Sequence, residues 1–344
     1  MGSRVGIAIC LILGFSGCSS LDFYSQAFGG QWRILRDRVP IEDVLQALDQ
    51  TEETKSKLRL VQEIRIFADQ SIGMSVGEKY TSYVELQRPY VVWNVFAAER
   101  RSVQGEHWCY PIVGCAPYRG YFDGDDARRF AASLEADGFE TYVAGVPAYS
   151  TLGWFDDPVL STFLDWPEAD LAGLLFHELA HGVVWVDGDV AFNESFASAV
   201  SEIAVAEYFS SGGRKRDYQQ WIERRAAWRI LKARLLDLKA SLQTVFQETS
   251  PAETKSSLYQ AFRDQYERDK SLFNTERFDR LVLTELNNAY LVSLGAYEDW
   301  VPAFRCLYAA QGAWLEFFAA VNHIAELDEA QRVEALRACE LIPE

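Results

Sequence analysis

The chain has 344 residues, enough for one large or two ordinary domains, and 49% hydrophobic with 14% aromatic residues is ample for a substantial core. A formal net charge of −17 argues against nucleic acid or an anionic membrane surface as partner.

The N-terminus reads as a targeting segment. Arg4 is a minimal basic region, Val5 to Phe15 is an apolar run too short to span a bilayer, and Phe15-Ser16-Gly17-Cys18 closes it. This resembles a bacterial lipoprotein signal, which implies removal of residues 1–17 and lipidation of Cys18. Ser19 at the next position fits sorting to the outer membrane, with the body of the protein facing the periplasm. The alternatives are an ordinary secretory peptide or a short membrane anchor.

Beyond the signal, helical spacing runs from Leu21 to about Ala68 through Leu35, Val39, Val44, Leu45, Leu48, Leu58, Val61, Ile64 and Phe67. The pattern then changes. Tyr90 to Phe96 and Thr141 to Val146 are short β-rich runs bounded by Gly or Pro, with a helix predicted between them over Ala127 to Ala136. Four cysteines remain outside the signal and Cys18: Cys109, Cys115, Cys306 and Cys339. In an oxidising compartment they favour disulfides, with three connectivities open and Cys109 with Cys115 the local choice.

Asp165 followed by Glu168 reads as a capping box, with Pro167 inside the first turn of a helix that carries Leu171, Leu174, Leu175, Phe176, Leu179 and Val183. A turn at Asp187-Gly188-Asp189 leads to a second apolar series, Phe196, Val200, Ile203, Ala204 and Phe209, running on from Glu194 and ending at Ser210-Ser211-Gly212-Gly213. Tyr218 to Phe246 is a long amphipathic helix without Gly or Pro, and Ser250-Pro251-Ala252-Glu253 caps the next. Helical spacing continues over Phe304 to Phe318 and Glu329 to Cys339. The basic groups Arg214-Lys215-Arg216 and Arg224-Arg225 read as a solvated helix face. One mixed domain over 18–344 is the economical organisation, α+β and predominantly α, with a small central sheet and long flanking helices.

The chemistry concentrates in Phe176-His177-Glu178-Leu179-Ala180-His181 and Asn193-Glu194-Ser195-Phe196-Ala197, which hold two of the four histidines. Residues four apart share a helix face, so His177 and His181 can present both imidazoles to one ion. Glu178 is offset by about 100° around the same helix, which sets its carboxylate beside the ion, where it can hold a water and take its proton. Glu194 is the best candidate for a third ligand, because twelve residues separate it from His181, room for one helix to end and another to begin. A His, His, Glu set leaves Zn2+ one position short of four, the catalytic rather than the structural arrangement. Asn193 and Asp189 are candidates to orient the ligands. Tyr149 is the first candidate to donate a hydrogen bond to the oxyanion of a tetrahedral intermediate, with Tyr118, Arg119 and Tyr121 behind it. The strand Thr141 to Val146 can pair with an extended peptide.

Several blocks together resemble the predicted aminopeptidase family of bacterial lipoproteins, which is grouped with the gluzincin metallopeptidases. They are Gly17-Cys18, Tyr24-Ser25-Gln26-Ala27, the run from Cys109-Tyr110-Pro111 to Tyr121-Phe122, the run Ala148 to Phe155, and HELAH with FNESFA. The resemblance implies a zincin-like metallopeptidase core, zinc on His177, His181 and Glu194, and Glu178 as general base and then proton donor to the leaving amine. It implies peptide substrates. The interval from HELAH to the ligand Glu is shorter than in thermolysin, and the Gly-x-Met-Glu-Asn segment of the best-known zinc aminopeptidases is absent, so the sequence leaves exo- and endopeptidase open. The rival from another class is a non-catalytic envelope scaffold or chaperone-like lipoprotein in which zinc only ties two helices together. Glu178 is the residue such a scaffold has no need of.

Overall fold

A computed structural model describes residues 18–110, 114–148, 156–211, 215–247, 251–273, 276–295 and 300–340. The fold is α+β and mostly helical. It opens with α1 (Cys18–Arg36), the two-residue strand β1 (Val39–Pro40), α2 (Ile41–Gln46) and α3 (Glu52–Phe67). Thr51 caps α3 by accepting from Thr54 N at 3.1 Å, and the helix runs on into a π-turn over Ala68–Ile72 that stops at Gly73, φ 82°.

The strands follow: β2 (Ser82–Val84), β3 (Val92–Glu99), β4 (Trp108–Tyr110), β5 (Gly114–Ala116) and β6 (Arg119–Tyr121), then α4 (Gly124–Ala136), β7 (Phe139–Val146), β8 (Val159–Leu160) and α5 (Ser161–Leu164). They do not form one central sheet. Among the described residues β1, β2 and β8 make one three-stranded sheet, β6, β3 and β7 a second, and β4 with β5 a hairpin. In that hairpin Cys109 lies opposite Cys115, and the two are disulfide-bonded. β3 is the centre of the second sheet and β7 its edge, antiparallel with Phe96 opposite Tyr142. Side chains alternate across this sheet. Val95 and its neighbours pack on Ala127 and Ala131 of α4, whereas Phe96 and Ala98 face Ala289 and Val292.

The rest is helical: α6 (Glu168–Ala180), α7 (Val190–Ser211), α8 (Lys215–Val245), α9 (Pro251–Arg268), α10 (Lys270–Phe273), a π-turn over Leu281–Glu285, α11 (Asn288–Ser293), α12 (Val301–Gln311), α13 (Trp314–Ala325) and α14 (Glu329–Glu340). The main core surrounds α6 and α7, whose Leu171, Leu175, Phe176, Phe196, Val200 and Phe209 are buried. Their backbones approach closely because position 173 is glycine: Ser201 Oγ donates to Gly173 O at 2.7 Å, and a Cβ at 173 would sit 3.3 Å from that hydroxyl. A second core lies between α8, α9 and the segment leading to α11, around Leu231, Leu235, Tyr259, Tyr266 and Phe273.

Two local readings of the sequence are corrected. The first turn of α6 is not closed by Asp165: Pro167 is the capping residue and no side chain bonds the end, because the chain enters through Pro167 at φ −50° rather than through the preceding aspartate. Arg224 and Arg225 are not a solvated face. Arg224 pairs with Asp170 of α6 and Arg225 with Glu202 of α7, the latter at 2.7 Å, because α8 packs across both helices.

Candidate metal centre

α6 ends at Ala180, and His181 is the residue after it, still in a right-handed helical conformation, φ −59°. His177 and His181 therefore keep helical spacing and lie with ring centroids 4.9 Å apart and planes at 87°. The turn that follows contains Gly188 at φ 79°, in the left-handed region that glycine enters without a steric penalty. α7 begins at Val190, four residues before Glu194, which brings that carboxylate back against both rings. His177 Nε2 stands 3.2 Å from Glu194 Oε2 and His181 Nε2 stands 3.6 Å from Glu194 Oε1.

These distances test whether an ion fits. Bond lengths of about 2.0–2.1 Å to zinc put tetrahedral ligand atoms roughly 3.3 Å apart. The two imidazole-to-carboxylate separations are close to that edge, and all three donors lie within 4.8 Å of one another. Burial, with the neighbouring His177 adding to it, pushes the His181 imidazole down to about 4, so that the ring is neutral and able to donate a lone pair at neutral pH. Burial works to raise the Glu194 carboxyl, but the hydrogen bond and charge of His177 outweigh it and hold the group below its usual range. The residues fit a divalent ion with nitrogen and oxygen preference.

Glu178 lies beside this set. Burial pushes its carboxyl up to about 7; His177 and Lys79 oppose the rise, while Glu194 and Asp157 add to it. A carboxylate that exchanges its proton near neutrality is suited to take one from water and return it to a leaving group.

Asn193 and Asp189 bond to the loop rather than to the ligands. Asn193 Oδ1 accepts from Val186 N at 2.9 Å, and its Nδ2 donates to Val186 O at 2.8 Å. Asp189 Oδ1 accepts from Phe192 N at 3.0 Å, and its Oδ2 receives Arg332 from α14 at 2.9 and 3.0 Å. These side chains fix the turn that joins the helices and reach the ligands only through it. His181 Nδ1 is buried with no hydrogen-bond partner.

Of the tyrosine and arginine candidates, Tyr149 lies outside the described residues. Tyr118 is 37% exposed and feels the charge of Glu194. Arg119 stacks on Phe130 and Tyr121 on the α4 side of the sheet, away from the ligands.

The residues that sequence reasoning missed are Lys79 and Tyr80. Lys79 Nζ would stand 3.1 Å from a Cβ at Gly182, next to His181, and its charge acts on Glu178 and His181. Tyr80 is buried, holds φ 59°, and donates its backbone N–H to Asp157 O at 2.8 Å. Arg65 braces the approach by donating to Gly77 O and Lys79 O. A left-handed tyrosine carries no sequence signal; only Gly73 and Gly77 mark the turn.

No curated protein and no solved structure matches the chain. The model of the family described as "Putative aminopeptidase" matches residues 22–336, nearly the whole length, and the chain belongs to that family.

Proposed function

We propose that this protein is a zinc-dependent peptidase with a zincin-like core, tethered through a lipidated Cys18 to the cell envelope and facing the periplasm. The observation that carries the chemistry is the convergence of His177, His181 and Glu194, with Glu178 beside them on the same helix as the two histidines.

When bound, zinc supplies Lewis acidity, lowering the pKa of a water and polarising a carbonyl. The residues around it do the rest. The imidazoles of His177 and His181 with the carboxylate of Glu194 would hold the ion, and the Asn193 clamp on Val186 keeps the two helices in register. Glu178, in its buried position, accepts the proton of the attacking water and delivers it to the departing amine. Tyr118, whose hydroxyl feels the charge of Glu194, is the candidate to donate a hydrogen bond to the tetrahedral oxyanion.

The outer edge of β7 offers a place for the substrate backbone. Val146 O accepts from Val91 N, on the β3 side of the sheet, so by alternation Thr141, Val143 and Gly145 turn their backbone groups away from β3. An extended peptide can pair there. Asn287 Nδ2 already donates to Thr141 O, so the proposed pairing uses Val143 and Gly145.

The deciding experiment incubates the zinc-loaded chain starting at Ser19 with a mixed peptide library and reads the products by mass spectrometry beside Glu178→Gln. Loss of single N-terminal residues, absent in the variant, establishes an aminopeptidase. Internal cuts keep the mechanism and make it an endopeptidase. No cleavage by either form overturns the enzyme reading in favour of a zinc-stabilised scaffold.

A further inference from the structure

The first helix presents two opposed faces. Gln26, Gly30 and Ile34 lie one turn apart and dock α1 on the body: Gln26 donates to Gly120 O and accepts from Phe122 N, and Gly30 lies so close to Phe122 that any Cβ there would collide with its ring. Ile34 is 2% exposed. Residues two positions away on a helix are turned by about 200°. Phe28 and Trp32, opposite Gly30 and Ile34, accordingly face outward, and they are 74% and 58% exposed. Two large aromatics a turn apart on one solvent-facing stripe need an occupant.

Three observations select it. α1 begins at Cys18, so under the tether reading the acyl chains enter the bilayer at the first residue of this helix, about 15 Å along the axis from Phe28. The docked face fixes the helix along the protein surface, which leaves the aromatic stripe free to turn toward whatever Cys18 is tethered to. The last turn carries Arg33 and Arg36, the latter paired with Asp37 at 2.7 Å, and Asp22 is the one acidic residue of the helix, so this segment has none of the net negative charge of the chain as a whole. Aromatic side chains with cations beside them are the composition of a helix at a lipid headgroup boundary. No described helix is long and apolar enough to cross a membrane.

We infer that the Phe28–Trp32 face of α1 lies against the phospholipid surface to which Cys18 is anchored, so that the protein sits on the membrane in a defined orientation instead of swinging from its lipid. This inference rests on the reading of Cys18 as the tether.

The test uses the full chain purified from membranes and reconstituted into phosphatidylethanolamine–phosphatidylglycerol vesicles whose acyl chains are brominated, with tryptophan fluorescence as readout. Quenching of about one tenth of the emission, the share of one indole in ten, is expected in the parent and almost none in Trp32→Phe, because the interfacial indole meets the bromine and the others do not. The conservative change keeps the helix intact, and circular dichroism verifies it. Equal quenching in both proteins overturns the inference, as does a concentration-dependent dimer, seen by light scattering without vesicles, in which Trp32 is shielded by a second copy. The mass of the N-terminal peptide separates the two layers of the argument. Cys18 without lipid overturns the tether and this face together; lipidated Cys18 with no Trp32-specific quenching overturns the face alone.

Discussion

Asn193 grips Val186 by both of its backbone groups, accepting from the N–H at 2.9 Å and donating to the carbonyl at 2.8 Å, and it does so one position before Glu194. The side chain is 1% exposed, so nothing from solvent replaces it. Asn193→Ala leaves the Val186 N–H without its partner, while the carbonyl keeps the Asp189 N–H at 3.2 Å, a cost of about 1–3 kcal/mol. Denaturant unfolding of the metal-free chain is expected to show that loss, and zinc titration a weaker affinity. Asn193→Asp, which keeps the acceptor and loses the donor, is expected to fall between the two.

The buried Glu178 makes a prediction about acidity in the metal-free chain. Its folded-state pKa, about 7, lies above the unfolded value of 4.5. As pH rises between the two, the unfolded chain releases this proton and the folded chain keeps it, so the term lowers stability with rising pH. His181, pushed down to about 4 from 6.5, works in the opposite sense, raising stability as pH climbs from 4 to 6.5. The parent is expected to show a shallow profile. Glu178→Gln removes the first term only, so its stability relative to the parent should grow by on the order of 3 kcal/mol from pH 4.5 to pH 7. Urea melts at stepped pH measure it, and a constant difference between the two proteins contradicts it.

Zinc bound by the folded chain alone stabilises it by mass action, about 4 kcal/mol at a thousandfold excess over the dissociation constant. A chelator is expected to lower the melting temperature of the parent and to leave that of His177→Ala unchanged. Glu178→Gln should respond to the chelator as the parent does, since it removes no ligand, while losing hydrolysis.

The two disulfides differ in what they contribute. Cys306 and Cys339, 33 residues apart, fasten α12 to α14, whereas Cys109 and Cys115 close a loop of six. Chain entropy gives about 3–4 kcal/mol for the first and about 2 kcal/mol for the second. Calorimetry of Cys306→Ser with Cys339→Ser, and separately of Cys109→Ser with Cys115→Ser, is expected to rank them in that order.

The clustering of His177, His181 and Glu194 was legible in the sequence to the extent that it is local. His177, Glu178 and His181 need only the pitch of one helix to come together, and Glu194 needs only a turn of the length that Asp187-Gly188-Asp189 allows. What depended on packing between distant segments was not legible. Arg224 and Arg225 look like surface charge until α8 is laid across Asp170 and Glu202. Asp189 looks like a partner for a ligand until Arg332, far along the chain in α14, takes its outer oxygen. Lys79 and Tyr80 arrive at Glu178 on a turn whose shape rests on one left-handed tyrosine, and no periodicity announces that. Only the two longest strands were seen, as Tyr90 to Phe96 and Thr141 to Val146; the shorter ones, and the division into two sheets and a hairpin, follow from pairing partners that alternation alone does not name.

The edge position of β7 among the described strands has a second consequence. Backbone groups at Val143 and Gly145 that can pair with a substrate can pair equally with a strand of another molecule, and an unprotected sheet edge is where soluble proteins aggregate. Asn287 closes one end of that edge by taking the Thr141 carbonyl. Were the chain held on a membrane and were β7 to take a peptide, as proposed, the same few residues would serve both to grip substrate and to invite self-association.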